Sequence, residues 1–251
     1  MGCLKRDAMS FNPPLPDDIC TAISNASISS LEKVYLSFQE AFWDEPSQEP
    51  DGALDGLGSE NVARLPGFTN FLNPTFYAPE EHRSWCLELN PLSNPEDFGE
   101  HAQPALLFSL FGDCGHELTS RINHLSPTSP EYFNAINNFL YPYYSRLPNY
   151  DSSNTACTPT AALATNWQND KYAHGSYTNF KVHPLEQKVE LDEEVSTMRR
   201  GMPERGIWLA GEHVAPFVGL GTSTGAYWSG EMAAMRVLGA NGLAERVKGS
   251  L

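Results

Sequence analysis

The residues best equipped for chemistry lie between 206 and 234, GIWLAGEHVAPFVGLGTSTGAYWSGEMAA. The apolar run 206–210 reads as a buried strand that stops just short of an acid, Glu212. A glycine-rich loop follows, and a helix opens around residues 222–225. A helix start presents unpaired N–H groups and the positive end of a dipole, so it favours an anionic or electron-rich partner. Gly219, Gly221 and Gly225 permit close backbone approach. A glycine-rich turn before an ordinary core helix has the same spacing, so spacing alone leaves both readings open. Two familiar patterns here do not hold. Residues 221–225, GTSTG, match the G-x-S-x-G nucleophile elbow, but that fold needs a histidine after the serine and none follows His213. The three glycines also resemble a dinucleotide fingerprint, but lack the strand immediately before it and the βαβ continuation.

The elements that must position these residues follow from pattern. Asp17 and Asp18 suit a helix start, and Ile19, Ala22, Ile23 and Ala26 give that helix an apolar face. Residues 32–38, EKVYLSF, alternate and read as a strand carrying Lys33, which spacing alone would place on a solvated edge. Residues 44–75 are rich in proline and glycine and read as loop, with short strands near 62–77. Strands are expected at 84–89 and 105–112, the second more buried because it is almost continuously apolar. Helices are expected at 113–123, 130–140 and 185–199, short strands at 163–165 and 176–180, and a small-residue helix from 222 to about 238.

Composition narrows the function classes. The chain has 251 residues, 41% hydrophobic and 11% aromatic, enough for one or two domains with a real core. Sixteen Lys+Arg against 31 Asp+Glu give a net charge of −15, which argues against nucleic-acid binding. No apolar run is long enough to span a membrane. The five cysteines, Cys3, Cys20, Cys86, Cys114 and Cys157, are scattered and never form C-x-x-C, so neither a zinc site nor a dense disulfide framework is expected. His174, His183 and His213 never reach metal-ligand spacing, and no metal is assigned.

LAGEHVAPFVGLGTSTGAYWSGEMAA resembles the C-terminal FAD-binding segment of the flavin-containing amine oxidase family, which includes monoamine, polyamine and L-amino-acid oxidases. Three further segments resemble the family in the same order. They are GCLK at 2–5 with the prolines of 11–16, LEKVYLSF at 31–38 with Ala41-Phe42-Trp43, and NWQND at 166–170 with GSYT at 175–178. The overall character is that of the fungal polyamine-oxidase-like branch. The resemblance implies an α/β fold: an α+β substrate domain plus the C-terminal part of a Rossmann-like FAD domain. Residues 1–10 would end an FAD-domain segment, 11–200 form the substrate domain, and 201–251 close the FAD domain. The family's N-terminal dinucleotide-binding βαβ unit is absent from this sequence, so the chain reads as a truncated member or one half of a split protein.

The resemblance also implies roles. Lys33 would hold a water near flavin N5, and Tyr177 would form one wall of the cage around the substrate amine. Trp167 would pack beside the flavin ring. Glu212, Gly221, Thr222, Ser223 and Thr224 would contact the cofactor, the last two by backbone N–H groups at the flavin C2 carbonyl. Ser176 stands where monoamine oxidases carry the cysteine that bonds to flavin, so FAD would be non-covalent. Thr222 replaces the second cage tyrosine, which implies a different or roomier pocket. The implied reaction is oxidation of a C–N bond by hydride transfer to FAD, with O₂ reduced to H₂O₂ and a small amine as substrate. A non-catalytic remnant and an oxidase of a specialised biosynthetic pathway are the alternatives. Residues 249–251, GSL, only loosely match a peroxisomal S-K-L tail, and a cytoplasmic or peroxisomal location is expected.

Overall fold

The computed structural model describes residues 1–6, 9–44, 65–71, 87–181 and 190–243. The start of the strand expected at 84–89, the first part of the helix expected at 185–199, Cys86, His183 and residues 249–251 lie outside the described residues. The chain packs as two compact units, Ser30–Asn166, and Met1–Ser29 together with Trp167–Leu251. This division differs from the expected segments 1–10, 11–200 and 201–251.

The Ser30–Asn166 unit is built on a five-stranded antiparallel sheet. Its strands are β2 (Leu31–Ser37), β3 (Thr69–Asn70), β4 (Leu87–Pro91), β5 (Ala105–Phe111) and β6 (Ala161–Ala164), in spatial order β3-β4-β5-β2-β6. Strand alternation explains the burial. Val34 and Leu36 share one face with Leu87, Leu89, Leu106, Phe108 and Leu110, and all are buried. The short helix α3 (Pro95–Phe98) follows β4, and the buried face packs with α4 (Asp113–Ile122) and α5 (Pro130–Tyr144) through Leu118, Ile122, Ile136, Leu140 and Tyr143. Helix α5 starts where Ser129 accepts a hydrogen bond from the Tyr132 N–H and Pro130 occupies the first turn. Phe38, Phe42, Trp43 and Tyr144 close one end with edge-to-face ring contacts at 5.0–5.7 Å.

The other unit has helices α1 (Gly2–Lys5), α2 (Asp17–Asn25), α6 (Leu191–Arg200) and α7 (Ser223–Ala240), and a two-stranded antiparallel pair of β1 (Ala26–Ser29) and β7 (Tyr177–Phe180). Its core is Ile19, Ala22 and Ile23 of α2 against Met198, Met202 and Val214. Two lysines serve the carboxyl end of α2: Lys5 Nζ donates to the carbonyls of Ile23, Ser24 and Ala26, and Lys181 Nζ to that of Ser24. Ala26, expected on the apolar face of the helix, instead opens β1, which follows α2 directly.

One expectation needs correction. Residues 206–210 do not form a buried strand. Among the described residues they gain only the isolated bridge Met202↔Ile207, and Ile207 and Leu209 lie half-buried against the α2–α6 core. An apolar run becomes a strand only where another strand offers its hydrogen-bonding edge. Helix α7 stands where the small-residue pattern puts it, and only Gly225 and Ser229 in it are buried. The fold is mixed α and β as expected, and every strand pairing among the described residues is antiparallel.

Candidate functional site

Glu212 is the hub of the Met1–Ser29/Trp167–Leu251 unit. Its Oε1 accepts from the Thr178 N–H (2.9 Å) and the Thr178 hydroxyl (2.5 Å), and its Oε2 accepts from the Gly221 N–H (3.0 Å). One carboxylate thus ties β7 to the loop that feeds α7. The short turn carrying it, Glu212–Val214, is held from α6, where Arg199 donates to the carbonyls of Val214 (2.8 Å) and Ala215 (2.6 Å). The acid expected beside the cofactor is therefore spent on three internal donors, and charge-assisted bonds of this kind are among the stronger ones.

The loop turns at Gly221, whose φ of +72° suits a residue without Cβ. The Tyr177 ring lies close by: a Cβ at Gly221 would sit 3.5 Å from Tyr177 Cδ2. Next, Thr222 caps α7. Its Oγ1 accepts from the Gly225 N–H at 2.9 Å and its hydroxyl donates to the Gly219 carbonyl at 2.8 Å. Thr222 N–H also goes to Gly219 O. Of the four residues expected at the helix start, Gly221 and Thr222 have their N–H groups engaged. Ser223 and Thr224 are exposed, and their N–H groups have no partner among the described residues. No cationic side chain stands between Gly219 and Gly225. Two open donors at the dipole-positive end of an 18-residue helix fit a neutral or partly negative carbonyl edge, such as the flavin's, better than a phosphate.

Trp167 is 45% exposed, so it is not the core-packing residue that sequence alone left open. Its carbonyl accepts from the Gly175 N–H at 2.9 Å, which closes the 167–175 loop ahead of Ser176 and Tyr177. Ser176 is half-buried, with its N–H on the Ser29 carbonyl.

Lys33 belongs to the Ser30–Asn166 unit, on the central strand β2, not at an edge of the sheet. Its backbone is fixed by Thr165, which donates its N–H to Lys33 O (2.9 Å) and accepts from Lys33 N on Oγ1 (2.9 Å). Thr165 in turn donates its hydroxyl to the buried Glu32 carboxylate at 2.6 Å. The Lys33 ammonium donates to Ser109 Oγ on β5 at 2.6 Å. Burial lowers its pKa below the ordinary lysine range, and the charge of Glu88 on β4 pulls it part of the way back. A serine so close to a lysine suggests a nucleophile and its base, but Ser109 is only 1% exposed and no substrate atom can reach it. Sequence reasoning passed over Ser109, Glu88 and Thr178. One signal was available: Ser109 is the single polar residue in the strand ALLFSLF.

His213, next to Glu212, is buried, and its Nε2 has no hydrogen-bond partner among the described residues. Burial lowers its pKa to about 4, so it is a neutral imidazole at pH 7. Among the described residues no group of His, Cys, Asp and Glu is placed to hold a metal ion, and no helix is long and apolar enough to cross a membrane.

Comparison with known proteins supplies the context. The family model described as flavin containing amine oxidoreductase matches residues 1–238. The histone demethylase-like protein A of Aspergillus fumigatus is 24% identical over 249 residues, which is 95% of this chain but 18% of that protein. Over 45 residues the chain is 42% identical to lysine-specific histone demethylase 1 homolog 3 of Arabidopsis thaliana, 18% of this chain and 3% of the other. Among solved structures, an engineered putrescine oxidase superposes with a TM-score of 0.58 at 16% identity, covering 94% of this chain and 41% of its own. The chain therefore spans less than half the length of these relatives.

Proposed function

The chain belongs to the flavin containing amine oxidoreductase family, and from that premise we propose that it contributes to an FAD-dependent, polyamine-oxidase-like amine oxidase. Bound FAD would supply the two-electron oxidation of the substrate C–N bond by hydride transfer, and its reoxidation by O₂ to give H₂O₂. The observation that carries the reading is the helix start at Ser223 and Thr224, held open by the Thr222 cap and the Glu212 tie. Those two N–H groups would donate to the flavin's carbonyl edge, where charge accumulates on reduction. Lys33 would order a water by donating a second N–H, since Ser109 takes only one of its three. Tyr177 would present its ring face to the substrate amine, which aromatic faces attract. Trp167 would cover the ring system and exclude water. Ser176 offers no thiolate, so the cofactor would be held without a covalent bond.

On this reading residues 1–10 and 201–251 serve the FAD domain and 11–200 the substrate domain, and a further N-terminal segment or partner chain would complete the cofactor site. The acidic composition suits a cationic amine substrate. The test is a peroxidase-coupled H₂O₂ assay with spermine, spermidine and their acetylated forms. It is run on the chain with FAD, alone and joined to the N-terminal half of a family member. Amine-dependent H₂O₂ from the joined protein is the expected result. Bound flavin that no amine reduces would overturn the oxidase reading in favour of a non-catalytic remnant.

A further inference from the structure

The three strands at the centre of the sheet align three polar residues. The register pairs Lys33 of β2 with Ser109 of β5, and Ser109 with Glu88 of β4. Directly paired residues of antiparallel strands point to the same face, so these side chains form one row across three strands, on the face opposite the Val34–Leu36–Phe108 core. Two steps across a sheet span about 10 Å between the outer Cα atoms. That is too far for short side chains but within the combined reach of a lysine and a glutamate. Ser109 bridges the interval, accepting from Lys33 Nζ at 2.6 Å while almost fully buried. Glu88 is half-buried, and among the described residues its carboxylate makes no hydrogen bond or ion pair.

We propose that Ser109 and Glu88 are positioning residues for Lys33. Ser109 fixes the direction of the ammonium by taking one N–H, and Glu88 keeps the group cationic, so that two N–H donors are presented from a defined point on the sheet. A lone lysine on a strand would sample several rotamers, and restricting four torsions against water needs an acceptor in a fixed place. A buried serine on a central strand is such an acceptor, because its own Cα is locked by the ladder. Among the described strands, the other neighbours of Lys33 on this face are Tyr35 on its own strand, Leu107 beside Ser109, Asn90 on β4 and Leu163 on β6, which leaves Glu88 as the acid in the row. The significance of the row rests on the reading of Lys33 as the group beside the flavin, but its existence does not.

The experiment therefore needs no flavin. Lys33 in the intact chain is acylated by an amine-reactive reagent at a series of pH values, and the extent is read by peptide mass spectrometry. Only the neutral amine reacts, so the midpoint of the profile reports where the ammonium loses its proton. Ser109→Ala and Glu88→Gln each remove a stabiliser of the cation, so each should move the midpoint to lower pH. A shift of one unit is a tenfold faster reaction at fixed pH below the midpoint. Ser109→Thr keeps the hydroxyl and should restore the wild-type midpoint. Added accessibility alone would raise the rate equally at every pH and leave the midpoint in place. If Ser109→Ala does not fold, Glu88→Gln, at a half-exposed position, decides the matter. Unchanged midpoints in the folded variants would overturn the proposal. A shifted midpoint with no amine oxidation in the joined protein would keep the row and remove the oxidase reading.

Discussion

At the scale of single residues, charge and burial make separable predictions. In FAD-loaded protein, Lys33→Met should leave the cofactor bound, because no cofactor contact proposed above is made by the lysine except through a water. It should slow flavin reoxidation, where developing negative charge loses its cation. One preorganised charge is worth about 2–4 kcal/mol, roughly a thirty- to thousand-fold change in that step, measurable by stopped flow. Equal rates in both half-reactions would return Lys33 to a purely structural role. His213 predicts a pH effect of defined sign. Its folded-state pKa is depressed to about 4 from the ordinary histidine value of 6.5, so the unfolded chain takes up a proton at higher pH than the folded one. The neutral imidazole's contribution is complete above about pH 6.5 and is lost as pH falls toward 4, by about 3 kcal/mol in all. Unfolding free energies of wild type and His213→Asn between pH 7 and pH 4 test this: the difference in slope over that window should vanish in the variant.

At the scale of elements, the start of α7 depends on two glycines meeting. A Cβ at Gly225 would lie 1.8 Å from the Gly219 carbonyl oxygen and 2.6 Å from its carbon, and backbone cannot retreat as a flexible side chain can. Alanine is the better helix former by about 1 kcal/mol, yet Gly225→Ala should destabilise by about 3 kcal/mol, since the Thr222 cap and the Glu212 tie move with the loop. Gly230 lies in the same helix with nothing within 4 Å of its Cβ position. Gly230→Ala should therefore stabilise by about 0.5–1 kcal/mol. Denaturant unfolding of the two variants should give opposite signs. Equal effects would mean that the close approach at Gly219 does not hold α7 in place.

At the scale of the whole chain, exposed apolar side chains gather around α7 among the described residues. Phe217 and Val218, 84% exposed in the latter case, precede α7, and the helix itself exposes Tyr227, Trp228, Met235 and Val237. Large apolar side chains grouped at one place on a surface are normally covered. The chain alone should self-associate, which light scattering after size exclusion would register as a mass above 27.8 kDa; a monodisperse monomer at micromolar concentration would count against an uncovered face. The described strands also supply no parallel βαβ unit for a dinucleotide's pyrophosphate. Purified chain without a completing segment should be colourless, and stoichiometric flavin absorbance would contradict that expectation.

The local pattern of the sequence was sufficient for most elements. Alternation fixed β2, near-continuous apolarity fixed β5, and the spacing of Tyr132, Ile136, Phe139 and Leu140 fixed α5, because each signal lies within one element. Motif order was sufficient for the family, since A-G-E-H and the small-residue helix after it are read residue by residue. What pattern could not decide was pairing. Residues 206–210 have the composition of a strand but no partner strand among the described residues, and β1 has little composition to announce it but gains β7. The site divides the same way. Lys33, Tyr177 and the α7 start were legible as residue types in context. That Glu212 is spent on Thr178 and Gly221, that Thr222 caps rather than offers its hydroxyl, and that Lys33 leans on Ser109 76 positions away are consequences of register and loop closure. Those depend on which backbones meet in space, a property of the folded chain that no window of its sequence contains.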